Sequence, residues 1–136
     1  MAREFALSVV APDRAVADVT ATSLVAPGSE GYFGVQAGHL PLIAALRPGM
    51  IEYADATGNR HFVYIGGGFI EVQGDRVTVL ADEAQRASEI DVAQAERQVE
   101  EARRALRGEA STINSENAVE ELDRAMNRLR AARSAR

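Results

Sequence analysis

Apolar residues recur along the 136-residue chain with two different periods, one in each part. Over residues 1–83 they alternate with small or polar neighbours, as at Phe5, Leu7 and Val9, Ile51 and Tyr53, Phe62 and Tyr64, and Val77 and Val79. A period of two belongs to strands with one buried face. Asp55-Ala56-Thr57-Gly58-Asn59 and Gln73-Gly74-Asp75 separate apolar runs at hairpin distance. Many short strands with regular turn signals predict a small β-sandwich or barrel over residues 1–83.

From Glu89 onward the period changes. Val92, Ala95, Val99, Ala102 and Leu106 step by threes and fours, and so do Val119, Leu122, Met126 and Leu129 after a polar break at 107–112. Each series places one apolar seam on a helix. Gly108 suits the end of the first helix, and Asn114, Ser115 or Asn117 suits the start of the second. A short polar loop between two such helices makes an antiparallel hairpin over residues 89–136, after a hinge at 84–88. The fold class expected is therefore α+β: a small N-terminal β-sandwich followed by a two-helix hairpin. Both seams are narrow and rich in alanine, so the hairpin packs closely, buries little area and is weakly held.

Composition narrows the function classes. A hydrophobic share of 46% is ordinary for a chain with a packed core. No run approaches the roughly 18 apolar residues of a membrane span, and Met1-Ala2-Arg3-Glu4-Phe5 does not open a signal peptide. The absence of cysteine excludes disulfides and thiolate metal sites and fits a reducing compartment. A net charge of -5 argues against general nucleic-acid binding, and every basic side chain is arginine.

No catalytic constellation is present. His39 and His61 lack metal-ligand spacing, there is no Walker-A motif, and Gly66-Gly67-Gly68 lacks both the G-x-G-x-x-G pattern and a following helix. The triple glycine reads as a bulge or a close strand contact. His61, at the start of an apolar strand, reads as structural. His39 either stabilises a turn or contacts a partner.

Gly28 to Ile51, GSEGYFGVQAGHLPLIAALRPGMI, spaces glycines among apolar residues and contains Gly38-His39-Leu40-Pro41. It closely resembles the corresponding segment of the ε subunits of F-type ATP synthases. The resemblance continues through residues 65–72, 77–82 and 90–91, covering essentially the whole chain. It implies a non-catalytic central-stalk subunit that binds the γ subunit and the ring of c subunits, coupling proton-driven rotation to ATP synthesis. It also implies a peripheral place on the cytoplasmic face of a bacterial plasma membrane or equivalent energy-converting membrane. No nucleic acid, direct membrane insertion, metal or tightly bound cofactor is expected.

The same resemblance implies site residues. Ser29 to Phe33, with Gly38 and His39 nearby, would face the c ring, making Glu30, Gly31, Tyr32 and His39 the contact set. Many relatives carry an acid where this chain has Tyr32, and Glu30 is the neighbouring alternative. In this family an extended hairpin inhibits ATP hydrolysis at the α and β subunits, which directs attention to Arg124, Arg128, Arg130 and Arg133. Guanidinium groups suit acidic partner surfaces, although pairs such as Glu120 with Arg124 and Glu100 with Arg104 would also occupy a solvated face. Some bacterial members bind ATP on the folded hairpin. Ile90, Asp91, Arg124, Met126 and Arg128 match that pattern, but Gln94 replaces its arginine and Gln85 an upstream acid. The lost guanidinium weakens ATP binding about ten- to hundredfold. A hairpin acting mainly as a nucleotide sensor is the alternative function, and a small β-sandwich enzyme a more distant one.

Overall fold

A computed structural model describes residues 3–135. Seven strands run in order: β1 (Phe5–Ala11), β2 (Arg14–Gly28), β3 (Gly31–Val35), β4 (Leu42–Asp55), β5 (Arg60–Gln73), β6 (Arg76–Ala81) and β7 (Ala84–Arg86). Helices α1 (Val92–Leu106) and α2 (Ala118–Ser134) follow. β1 pairs antiparallel with β2 and parallel with β6, and β6, β5, β4 and β2 then pair in succession. The circuit closes on itself, giving a flattened barrel whose two walls face each other as a sandwich. Closure removes most of the open sheet edge. Phe5, Leu7, Val9, Leu24, Ile51, Val63, Ile65, Ile70, Val72, Val77 and Val79 point inward from both walls into one core. These include the positions at which the alternation is clearest.

The triple glycine lies where β5 must approach two neighbours. Gly66 N donates to the Glu83 carbonyl at 2.9 Å, and Asp82 N donates to that of Gly67 at 2.9 Å. At Gly68, where φ is +143°, an added Cβ would sit 2.1 Å from the Leu80 carbonyl oxygen. Only glycine tolerates both that angle and that contact. The β4–β5 turn is tied by Asp55, whose carboxylate accepts from Thr57 and Asn59 N–H groups and pairs with His61 Nε2 at 2.8 Å. The His61 bond, followed by that from Thr57, holds the Asp55 carboxyl well below the usual carboxylate range. His61 also stacks on Tyr53 with centroids 4.8 Å apart, a structural role.

Residues 84–88 contain β7, which pairs with Val63–Ile65 of β5, and the start of a 3-10 turn, Ala87–Glu89. Glu89 receives Arg86 at 2.9 Å and Arg14 at 3.1 Å, fastening the segment to β2. Asp91 caps α1 by accepting from Gln94 N at 3.1 Å. Gly108, φ +76°, follows the last turn of α1. Asn114 caps a 3-10 turn, Ser115–Asn117, that leads into α2.

The helix seams differ from the sequence expectation. Ala95, Val99 and Ala102 of α1 are buried as expected, but Ala105 replaces Leu106, which is exposed. On α2 the buried residues are Ala118, Ala125, Ala131 and Ala132, while Val119 and Met126 are 70% and 49% exposed. Leu122 and Leu129 are half-buried. The large side chains flank a contact made by the small ones, because alanine lets neighbouring backbones approach closely. Internal pairing differs too: Arg124 bonds Glu121 rather than Glu120, and Glu100 pairs with Arg107 while Arg104 donates to the Ala110 carbonyl.

Replacing Gly68 by alanine should destabilise the barrel by about 3 kcal/mol or more, since strain and backbone collision coincide there. Urea unfolding of the variant would show this as a large drop in midpoint; a midpoint within experimental error of the parent's would contradict it.

Candidate functional site

The hairpin lies against the outside of the barrel. Phe62 and Tyr64 of β5 alternate outward from Val63 and Ile65, and Met50 stands opposite Tyr64 on β4. Tyr64 joins Ala87, Ile90, Ala95, Ala131 and Ala132 in a second apolar cluster, with Met50, Phe62, Val92 and Leu129 around it. This cluster is small. Each alanine methyl contributes only about 0.8 kcal/mol on burial, so apolar area alone holds α2 loosely.

Polar contacts complete the junction. Tyr64 is fully buried, and its hydroxyl donates to Glu83 Oε1 at 2.7 Å. Arg128 donates to the same oxygen at 2.7 Å and to Gln98 Oε1 at 2.7 Å, and its guanidinium carbon lies 4.8 Å from the Tyr64 ring centroid. One arginine thus joins α2 to α1, to β5 and to the segment after β6. Burial, then the hydrogen bond to Glu83 and that carboxylate's charge, push the Tyr64 hydroxyl far above its ordinary range, so it stays neutral. A second link runs through Tyr32, whose hydroxyl accepts from Met50 N at 3.2 Å and from Arg130 at 3.3 Å. Gly49 makes room for it: a Cβ there would stand 2.8 Å from that hydroxyl.

The sequence-predicted residues are dispersed. Glu30 and Gly31 are exposed in the tight β2–β3 turn, while Tyr32 reaches toward the hairpin. His39 lies in the next loop, its Nδ1 2.7 Å from the Leu40 carbonyl oxygen, a turn-stabilising contact. Of the residues matching the ATP-binding pattern, Ile90 is buried in the second cluster, Asp91 is a helix cap, Arg124 is paired with Glu121 and Arg128 is committed to Glu83 and Gln98. The cleft beside Arg128 also contains Gln94 and two carboxylates, Glu101 and Glu121. Among the inhibitory candidates, Arg130 is tied to Tyr32 and Asn127, and Arg133 lies 3.9 Å from Glu96. No group of three or more potential metal ligands occurs among the described residues.

Sequence reasoning missed two features. Glu83 and Tyr64 form the centre of the junction, yet one is an ordinary loop acid and the other an ordinary strand residue in the sequence. It also missed an exposed apolar face at Leu40, Ile43, Phe69 and Leu80, 56–79% exposed. Phe69 stands opposite Leu80 on β6 and Ala45 on β4. The adjacent apolar pairs Phe69-Ile70 and Val79-Leu80 signal it, because in each pair only one residue can face the core.

Arg128→Gln should loosen the hairpin while leaving the barrel folded. Loss of the charge-assisted bonds and ring contact, partly screened by solvent, amounts to about 2 kcal/mol. Hydrogen exchange across residues 118–134 is expected to quicken roughly thirtyfold; unaltered protection there would refute the assignment.

Comparison with known proteins agrees with this architecture. Residues 4–87 match the family model described as the ATP synthase delta/epsilon chain β-sandwich domain, and residues 88–133 match its long α-helix domain. The chain is 37% identical over 127 residues to the ATP synthase epsilon chain of Myxococcus xanthus, covering 93% of this chain and 90% of that one. To the Moorella thermoacetica epsilon chain it is 39% identical over 126 residues, covering 93% and 94%. A chain in the Euglena gracilis mitochondrial ATP synthase superposes with a TM-score of 0.80 at 25% identity, over 95% of this chain and 81% of that one. A closed β-sandwich, a docked helical hairpin and matches along both domains lead to one conclusion: the chain belongs to the ATP synthase delta/epsilon family, as an epsilon-type subunit of the F-type synthase.

Proposed function

We propose that this chain docks on the rotor through its barrel and restrains ATP hydrolysis through its hairpin. The exposed face of Leu40, Ile43, Phe69 and Leu80 supports docking, because a clustered apolar surface is a protein-interaction surface. We assign it to the γ subunit. The Ser29–Phe33 turn, with Glu30 and Gly31 exposed and His39 nearby, is assigned to the c ring; Tyr32 serves the folded hairpin and is released for that contact when the hairpin leaves. The subunit then couples proton-driven rotation to ATP synthesis as a peripheral component on the cytoplasmic face of a bacterial plasma membrane. No helix among the described residues is long and apolar enough to cross a membrane.

The observation that carries the inhibitory reading is the composition of the junction. The α2 residues buried there are alanines, and its principal polar anchor is one partly exposed ion pair, with Glu83 47% exposed. Such a surface separates at modest cost, leaving the hairpin able to extend toward the α and β subunits. Nucleotide sensing is the weaker reading. Gln94 stands in place of a guanidinium, Glu101 and Glu121 add negative charge, and Arg128 is already occupied. The face of the hairpin bearing the ATP pattern therefore binds ATP weakly or not at all.

Arg124 and Arg133 offer a clean test, since their carboxylate partners, Glu121 and Glu96, lie within the hairpin. Reversing both charges leaves the Arg128 anchor in place. In the assembled synthase, R124E/R133E should raise ATP hydrolysis several-fold without loss of assembly. Hydrolysis equal to that of the parent complex would count against contact between these arginines and the α and β subunits.

A further inference from the structure

The segment that joins barrel to hairpin is attached unevenly along its length. Its first part belongs to the barrel by backbone pairing. Ala84–Arg86 lies antiparallel to Val63–Ile65 of β5, and Gly66 N donates to the Glu83 carbonyl at 2.9 Å. The 3-10 turn that follows, Ala87–Glu89, is held by side chains. Ala87 is buried in the same cluster as Tyr64. The Glu89 carboxylate accepts from Arg14 Nη2 at 3.1 and 3.2 Å on its two oxygens, and from Arg86 Nη1 at 2.9 Å. Arg14 opens β2, 75 positions earlier, so one carboxylate ties the root of the hairpin to a strand that has no extended contact with either helix. Past Glu89 these attachments end. Ile90 and Asp91 are both extended, with ψ of 125° and 116°, between the 3-10 turn and α1. Beyond its first turn α1 packs on α2 rather than on a strand, and it is α2 that lies on β4, β5 and the 3-10 turn.

Two extended residues between hydrogen-bonded elements are where a change in φ and ψ costs least. We infer, on the reading that the hairpin extends, that it turns about Ile90 and Asp91, and that Glu89 is a clasp keeping residues 84–89 on the barrel when α2 is released. The hinge expected at 84–88 therefore shifts toward α1. Exposed ion pairs are individually weak. Here the carboxylate joins partners on two different elements and acts beside a backbone ladder, so a small contribution decides which side of the turn moves. The clasp is also independent of the junction. Arg14, Arg86 and Glu89 share no residue with the Arg128, Glu83 and Tyr64 contact, so breaking one leaves the other intact. Release of α2 then leaves Ala87 in place on Tyr64, and the hairpin keeps a fixed point from which it can return to the same seat.

Hydrogen exchange in the full chain separates the two attachments. In R128Q the amides of 118–134 should quicken while those of 84–90 keep the parent rate. In R14Q/E89Q the amides of 84–90 should quicken about fivefold, as loss of a partly exposed ion-pair cluster requires. E89Q alone, which leaves β2 untouched, should move them in the same direction. The amides of β1 and β6 report that the barrel stays folded in each variant. E100Q, which removes an ion pair at the far end of α1, should leave 84–90 unchanged. Quickening of 84–90 together with 118–134 in R128Q would overturn the pivot, because the whole connector would then move with the hairpin. Parent rates at 84–90 in both E89Q and R14Q/E89Q, or equal quickening in E100Q, would overturn the clasp. Hydrolysis by the synthase does not enter these measurements, so failure of the inhibitory reading stays distinguishable from failure of the clasp.

Discussion

The relation of the two domains depends on the meeting of Arg128, Tyr64 and Glu83. Apolar packing alone would not fix the hairpin, because alanine gives up too little area to water when it is buried. The buried tyrosine supplies a ring for the guanidinium to cover and a hydroxyl that needs an acceptor. Glu83 satisfies the hydroxyl and neutralises the arginine through the same oxygen. Each group therefore meets a requirement of the others, and removing any one leaves another exposed to an unfavourable environment. Close packing of alanine against alanine positions the helices, while the ionic contact fixes them in register.

The barrel was legible in the sequence because most of its strands alternate, although Phe62 and Tyr64 face the hairpin while Val63 and Ile65 face the core. Phe5, Leu7 and Val9 face inward as their alternation requires, and the expected turns at Asp55–Asn59 and Gly74 lie between the strands. The triple glycine also behaved as strand glycine does, at a close backbone contact. The helix seams were legible only in part. Choosing the largest apolar residues placed the α2 contact on Val119, Leu122, Met126 and Leu129; Leu122 and Leu129 are half-buried and Leu129 packs on the second cluster, but Val119 and Met126 are exposed and the fully buried positions are alanines. Hydrophobicity ranks a residue by what it gains on burial, but close helix contact selects for what fits. The site was least legible. Glu83 and Arg128 are 45 positions apart and Tyr64 lies further still from Arg128, and no local pattern marks residues that only the fold brings together.

The family comparison and the geometry describe different levels of the same molecule. Membership in the delta/epsilon family accounts for the two-domain plan. The particular side chains distinguish this member. Its arginine at 128 engaged with Glu83 and its tyrosine at 32 engaged with Arg130 together join the hairpin to the barrel by protein contacts. The docked arrangement thus carries its own internal restraint, independent of any nucleotide on the hairpin.

The parallel pairing of β1 with β6 also sets an order of events during synthesis. Val9 and Val10 lie beside Val79 and Leu80, seventy positions later in the chain. The earlier strand therefore waits for the later one before the barrel can close, a contact of high sequence separation and slow loop closure. Tyr64, Met50 and Glu83 form a common docking surface only after that closure. The hairpin, synthesised after the barrel, arrives as its landing place is being completed, and any delay in β6 leaves two amphipathic helices without a partner.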